Sequence, residues 1–418
     1  MKKTKTVTTV SLIAFLLLIA AIPTLIPESQ AANSQDDRTF SIMQISDTQH
    51  LAFLSPTLYN DTMSWIVNNS ANYNLQMVIH TGDFVDAFGM TSNFTIVPYN
   101  STQKAQEWSV ANSSMSKLLA ANIPYCWCAG NHDQTPFANP NGTMMGSSYL
   151  AFNATYMHSK PYWIDDILDS KNTAVKFTYN NFPFMIIDIE SFANNSVLTW
   201  MKNLLNLNVG VNTIVATHGY LDGNANYDSS TPAAGAWTKT FKTTLDSYPN
   251  VFLALCGHNH GWNMTTSGNR QEILFDFQEE NNLTGAAAVR IYTFNLANRQ
   301  VNASTYCVDN KTWLQDPPNQ FSFNANTLIP IATPPLSASA FCSVTIMTGQ
   351  TWYFFAHSSG GIGPYSFQWY EGTTALSGQT SMLLPITKTT AGTYTYTCKV
   401  TDSQGTMVTS NPITLTVK

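Results

Sequence analysis

Apolar residues in this chain fall into short runs, separated by amphipathic stretches. The run at 39–46 sets Phe40, Ile42 and Ile45 in a strand-like pattern and ends at Asp47-Thr48-Gln49-His50. Met63, Ile66 and Val67 then recur at helical spacing within 62–73, and 75–79 is a second apolar strand. A helix is predicted over 105–121, with Trp108, Met115, Leu118 and Leu119 on one side, followed by a third strand at 123–129. The alternation continues with strands at 173–178 and 182–189, a helix at 197–207, a strand at 212–216, a helix at 237–248 and a strand at 251–255. Residues 271–277, 286–294 and 301–306 read as strands of a closing antiparallel sheet. Strands alternating with helices predict a layered α/β domain. Residues 135–170 break the pattern and are expected to form a long loop region, part of a substrate rim.

The pattern changes after about residue 335. Short Thr-rich runs at 344–347, 351–356, 366–370, 392–400 and 413–417 alternate apolar and polar residues, with turn residues between them. They predict a small all-β sandwich over 336–418, with Trp369 at a core position. The stretch resembles immunoglobulin-like and PKD-like domains. It departs from the immunoglobulin disulfide pattern, because the 351–356 strand has no cysteine. Cys398 is either a free thiol or the partner of Cys342. Residues 311–335, rich in Asn and Pro, are a linker or the closing segment of the first domain.

Composition adds a compartment. Hydrophobic residues make up 44% of the 418 residues and charged residues 11%, against about 25% charged in an average soluble protein. The net charge of -6 and the lack of a basic tract exclude an electrostatic nucleic-acid surface. Lys2, Lys3 and Lys5 precede an apolar run from Ser11 to Ile26, and Ser29-Gln30-Ala31 fits a small-x-small cleavage site. Residues 1–31 are therefore expected to be a signal peptide, with secretion or surface display as the outcome. An uncleaved anchor is the alternative and would be the only membrane attachment. None of the six cysteines forms a Cys-x-x-Cys pair, which argues against a cysteine-ligated zinc site.

Chemistry collects at the strand ends. Five of them carry Asp47 with Gln49, Asp83 with Asp86, Asn131 with His132 and Asp133, His218, and His258 with His260. A lone Asp past a strand is ordinarily a turn or cap, and a lone His is ordinarily structural. Five strand ends supplying carboxylate, amide and imidazole in turn are not well explained by chance.

In order and spacing these stretches resemble the motifs of the calcineurin-like metallophosphoesterase superfamily. They read Asp47-Thr48-Gln49, Gly82-Asp83-Phe84-Val85-Asp86, Gly130-Asn131-His132-Asp133, Thr217-His218-Gly219 and Gly257-His258-Asn259-His260, within a domain expected over 38–310. The resemblance implies a four-layer α/β/β/α sandwich and two divalent metal ions, drawn from Mn, Fe, Zn or Co. It implies that Asp47, Gln49 and His260 hold the first metal, that Asp83 bridges, and that Asn131, His218 and His258 complete the second. His132 would touch the phosphoryl oxygen or protonate the leaving group, Asp133 would orient His132, and Asp86 would stand behind these ligands. The implied activity is hydrolysis of a phosphomonoester or phosphodiester by a hydroxide held between two metals about 3.5–4 Å apart. Gln49 departs from the family's usual His. Gln49 itself, the adjacent His50, or a weakened or vacant position are the readings for that place. The motifs contain no Arg, so no bidentate phosphate clamp is evident. The competing reading is a metal-retaining surface protein with little turnover, whose terminal sandwich binds a glycan or protein.

Overall fold

The structure is a computed structural model that describes residues 38–86, 88–90, 96–98, 101–135, 142–278, 285–330, 335–403 and 405–418. The expected signal peptide lies outside the described residues. No helix among the described residues is long and apolar enough to cross a membrane.

Two seven-stranded sheets form an α/β sandwich. In the first, Thr39–Ile45 lies parallel to Leu75–His80, which lies parallel to Tyr125–Trp127. On its other side Thr39–Ile45 pairs antiparallel with Ala288–Asn295, then Gln300–Cys307. Thr312–Leu314 and Gln320–Asn324 both pair with Gln300–Cys307. The segment 311–335 therefore extends this sheet as far as Asn324. In the second sheet Phe182–Ile189, Asn212–Gly219 and Val251–Gly257 run parallel. Antiparallel strands Asn172–Tyr179 and Trp163–Ile167 flank them on one side. On the other side come Arg270–Asp276 and Gly261–Ser267.

Strand periodicity explains the layering. Successive residues point to opposite faces. Ile186, Ile214 and Leu253 pack into a core shared with Phe40, Ile42 and the helices Pro56–Asn69 and Ser101–Ala120. Their neighbours Ile187, Val215 and Ala254 face a second core with Val197, Met201 and Leu205 of helix Asn195–Leu207 and Phe241 of helix Pro232–Asp246. Buried on both faces, these strands read in the sequence as continuous apolar runs.

Three stretches differ from expectation. A six-residue helix, Gln49–Leu54, starts immediately after the first strand end; it is too short to show periodicity. The Gly261–Ser267 strand holds only two large apolar side chains, Trp262 and Met264, and is half-exposed at a sheet edge, so its apolar signal is weak. The stretch expected as loop contains the short helix Ala154–Met157 and the strand Trp163–Ile167.

The C-terminal region is β-rich. Ser337–Phe341, Thr351–Ser359 and Leu383–Thr387 form one sheet, and Ser366–Glu371, Gly392–Thr401 and Ile413–Val417 belong to another. Phe354 and Leu384 of the first share a core with Trp369, Tyr396, Cys398 and Leu415 of the second. Trp369 is fully buried, and its Nε1 donates to the Ser381 carbonyl at 2.9 Å. Cys342 is exposed and Cys398 buried, and no disulfide joins them.

Candidate metal centre

The chemistry-bearing residues follow the carboxyl ends of parallel strands, the edge at which open α/β sheets place their sites. Asp47, Asp83 and His258 leave their strands with φ of 52°, 56° and 70°. Left-handed backbone is unfavourable for such residues by roughly 1–2 kcal/mol each, so surrounding contacts must hold it. Two glycines allow the close approach. A Cβ at Gly130 would run into the Asp83 carboxylate, and one at Gly257 into Ser46 Oγ and Asp47 Oδ2.

Asp83, His218 and His258 bring one ligand atom each within 4.8 Å of one another. His218 is the hub. Its Nδ1 lies 2.9 Å from the Thr81 carbonyl oxygen, which fixes that nitrogen as the donor. Its Nε2 then faces Asn131 Oδ1 at 2.8 Å, His258 Nδ1 at 3.1 Å and Asp83 Oδ2 at 3.3 Å. One N–H cannot serve three acceptors at once, whereas a cation can satisfy several donor atoms together. Mixed imidazole, amide and carboxylate donors suit a borderline divalent ion. The residues present thus fit a metal, and Asp83, His218 and His258 form a candidate metal-binding triad.

Charge in this cluster is shared unequally. Burial works against an imidazolium at His218, but the Asp83 carboxylate outweighs it and pushes the pKa up to about 10. Burial would raise the Asp83 carboxyl; His218 and His132 reverse that and hold it well below the usual range. Burial, then the positive His218, lower His258 to about 4. His258 is thereby left neutral, ready to act as a ligand.

Asp47 is buried and accepts the His258 backbone N–H at 3.1 Å and the Ser46 hydroxyl through Oδ2. Its Oδ1 is buried with no hydrogen-bond partner, and so is Gln49 Oε1. Gln49 Nε2 lies 3.4 Å from Asp83 Oδ2 and donates to Gln278 Oε1. His50 Nδ1 instead reaches the Gln278 carbonyl oxygen at 3.4 Å. Of the two neighbours, Gln49 is the one aimed at Asp83. His260 is exposed and lies outside the triad.

His132 is partly exposed, with its Nδ1 2.8 Å from Asp86 Oδ1 and its Nε2 4.0 Å from Asp83 Oδ2. Burial opposes its charge, but Asp83 and Asp86 raise its pKa to about 9. The expected orienting role of Asp133 differs from the geometry. Asp133 accepts backbone N–H groups from Asp83, Phe84, Val85 and Gly130. Its carboxylate ties two strand-end loops together, while Asp86 holds the imidazole. Asp86 is itself anchored, since its N–H donates to the buried Glu107 at 2.7 Å.

Asp276 and Gln278 were not singled out in the sequence, although Asp276 ends the strand Arg270–Asp276 and Gln278 follows it. Burial and then Asp47 hold the Asp276 carboxyl well above the usual range.

Fold and site together define an α/β domain with a candidate metal-binding cluster. A family model described as calcineurin-like phosphoesterase matches residues 40–262, more than half of the 418 residues, and the chain belongs to that family. The chain is 26% identical over 285 residues to the uncharacterized protein YvnB of Bacillus subtilis. That match covers 64% of this chain and 20% of YvnB, so it spans about a fifth of the relative's length. Among solved structures, GAP50, described as the anchor in the inner membrane complex of Plasmodium, is 10% identical with a TM-score of 0.41, over 70% of this chain and 90% of that one. The phosphopantetheinyl hydrolase PptH of Mycobacterium tuberculosis is 14% identical with a TM-score of 0.34, over 57% of this chain and 90% of that one.

Proposed function

We propose that the chain is an exported, metal-dependent phosphoesterase that hydrolyses phosphomonoesters or phosphodiesters. The observation that carries this reading is the three-way convergence on His218 Nε2 by Asn131, His258 and Asp83. Asp83, Asn131, His218 and His258 would hold one divalent ion. Asp47 and Gln49, with their unpartnered oxygens, would hold a second together with Asp83 and His260.

Two such ions, when bound, would supply charge neutralisation at the phosphoryl oxygens and a nucleophile at neutral pH. The chain's own part is placement. His132, whose pKa Asp83 and Asp86 raise toward about 9 in the metal-free protein, would in its protonated form donate to a phosphoryl oxygen or to the departing alkoxide. Asp86 fixes the ring through Nδ1, which leaves Nε2 as the donating atom. Asp133 holds the loops that carry Asp83 and His132. The C-terminal β-rich region, 336–418, is proposed as an immunoglobulin-like module that binds a surface glycan or protein. The 1–31 segment is proposed as a cleaved export signal.

The test is metal content by elemental analysis together with turnover of generic mono- and diester substrates under Mn²⁺, Fe²⁺, Zn²⁺ and Co²⁺. Bound metal with turnover that His132→Ala removes is the expected result. Neither metal nor turnover under any of the four ions would sink the reading. Bound metal without turnover would leave a surface binding protein.

A further inference from the structure

We propose that Gln278, anchored by Asp276, is a positioning residue that presents the oxygen of the Gln49 amide, rather than its nitrogen, to a divalent cation. The inference rests on the metal-centre reading above and deepens it. A side-chain amide has one end that binds a cation and one that repels it, and the two ends have nearly the same shape. Where Gln49 stands in a ligand position, something must choose between them.

The contacts make that choice. Gln49 Nε2 donates to Gln278 Oε1 and faces Asp83 Oδ2 at 3.4 Å. Turned over, Gln49 would set its oxygen against a carboxylate and an amide oxygen, two acceptors with no hydrogen between them. Gln278 is held in its turn. Its backbone N–H donates to Asp276 Oδ1 at 2.9 Å, and its Nε2 faces Asp276 Oδ2 at 3.4 Å. The contacts run from Asp276 through Gln278 to Gln49, with the Asp83 carboxylate fixing the donor end of the Gln49 amide, and they leave Gln49 Oε1 without a donor. All three side chains are buried, so water does not readily scramble the order. Asp47 Oδ1, two residues before Gln49, is another buried acceptor without a donor. Leaving such an atom unsatisfied is unfavourable, and a cation would relieve both.

The ligand class follows. An amide oxygen beside carboxylates makes this half of the centre oxygen-rich, which favours Mn²⁺ over Zn²⁺ relative to an imidazole at the same place.

The test is Mn²⁺ binding to the full chain by isothermal titration, with Co²⁺ absorption as a second signature of ligand change. The variants are Gln278→Leu, Gln278→Met and Gln278→Leu combined with Gln49→Glu. The Asp83–His218–His258 half serves as the internal reference. Loss of an outer-sphere orienting group weakens metal affinity by about 10–100-fold. The expected result is a weakening of that size at one of two sites in Gln278→Leu and Gln278→Met, with the Co²⁺ spectrum altered. Gln49→Glu should restore it, because a carboxylate presents oxygen at either end. Gln278→Met, the more adaptable side chain, keeps the question answerable if Gln278→Leu folds poorly. Unchanged affinity at both sites in either folded variant would overturn the proposal, and so would a loss that Gln49→Glu fails to restore. A parent protein that binds no divalent ion would instead refute the metal-centre reading itself.

Discussion

Replacing Asp133 separates a structural carboxylate from a catalytic one. In Asp133→Ala, four backbone N–H groups lose their acceptor. The bonds from Asp83, Phe84 and Gly130 are 2.8 Å and that from Val85 is 3.3 Å. Each buried N–H left without an acceptor costs about 1–3 kcal/mol, so the three with short bonds would sum to roughly 3–9 kcal/mol if they were additive. They are not additive. The carboxylate is buried, and beside Asp83 burial pushes its pKa up, so removing it also removes a desolvation cost. The net loss expected is about 3–5 kcal/mol, at the lower end of that sum. That is a large part of the roughly 5–15 kcal/mol that stabilises a typical domain. His132→Ala, which removes a partly exposed ring, should cost less, about 1 kcal/mol, because solvent screens an ion pair that is only partly buried. The assay is reversible denaturant unfolding in excess chelator, followed by tryptophan emission, with Trp108 and Trp127 both buried in the affected core. If Asp133→Ala unfolds within about 1 kcal/mol of the parent, Asp133 is not the anchor of these loops. If it then matched His132→Ala in kinetics, the orienting role suggested by the sequence would be restored.

Further outcomes follow from the same contacts. His132→Ala should lower kcat by about 10²–10⁴-fold with metal content unchanged in elemental analysis; a parallel loss of metal would move His132 into the ligand set. His218 is protonated in the metal-free protein up to about pH 10, and ligands bind metal only when deprotonated. Metal affinity at this half should therefore rise about tenfold per pH unit between 6 and 9, with about one proton released per metal. Titration calorimetry in two buffers of different ionisation enthalpy measures that release, and its absence would refute the His218 assignment. Gln49→His should shift relative affinity from Mn²⁺ toward Zn²⁺ in competition titrations; an unchanged ratio would mean that Gln49 is not a ligand. Gly257→Ala drives a Cβ into Ser46 Oγ and Asp47 Oδ2 and should reduce bound metal from two ions to one.

Much of the domain could be read from periodicity, because both central sheets are buried on two faces and write long apolar runs. Asn212–Gly219 is buried throughout, and even its His218 lies in an otherwise readable strand. Two elements were not legible: the Gln49–Leu54 helix, too short to show a period although four of its six residues are buried, and the half-exposed edge strand Gly261–Ser267. Site residues were legible where a strand end and a chemical side chain coincide within a few positions. Asp276 and Gln278 meet the same condition, but an Asp and a Gln after a strand are ordinary turn residues, and nothing local ties them to Gln49. The roles of Asp86 and Asp133 followed a similar rule. Both are carboxylates near His132 in the resemblance, and only direction distinguishes them.

Residue types and their order along the chain by themselves determined the α/β alternation, the β-rich C-terminal region and which strand ends carry carboxylate, amide and imidazole. Those depend on hydrophobic period and chain order, which are local. The tertiary structure decided which atoms face one another: His218 Nε2 against three acceptors, Asp133 given to backbone N–H groups, and Gln49 turned by Gln278. These are long-range choices, spanning 229 residues in the case of Gln49 and Gln278. Direction at a buried polar atom is set by the donors and acceptors that other strands bring to it.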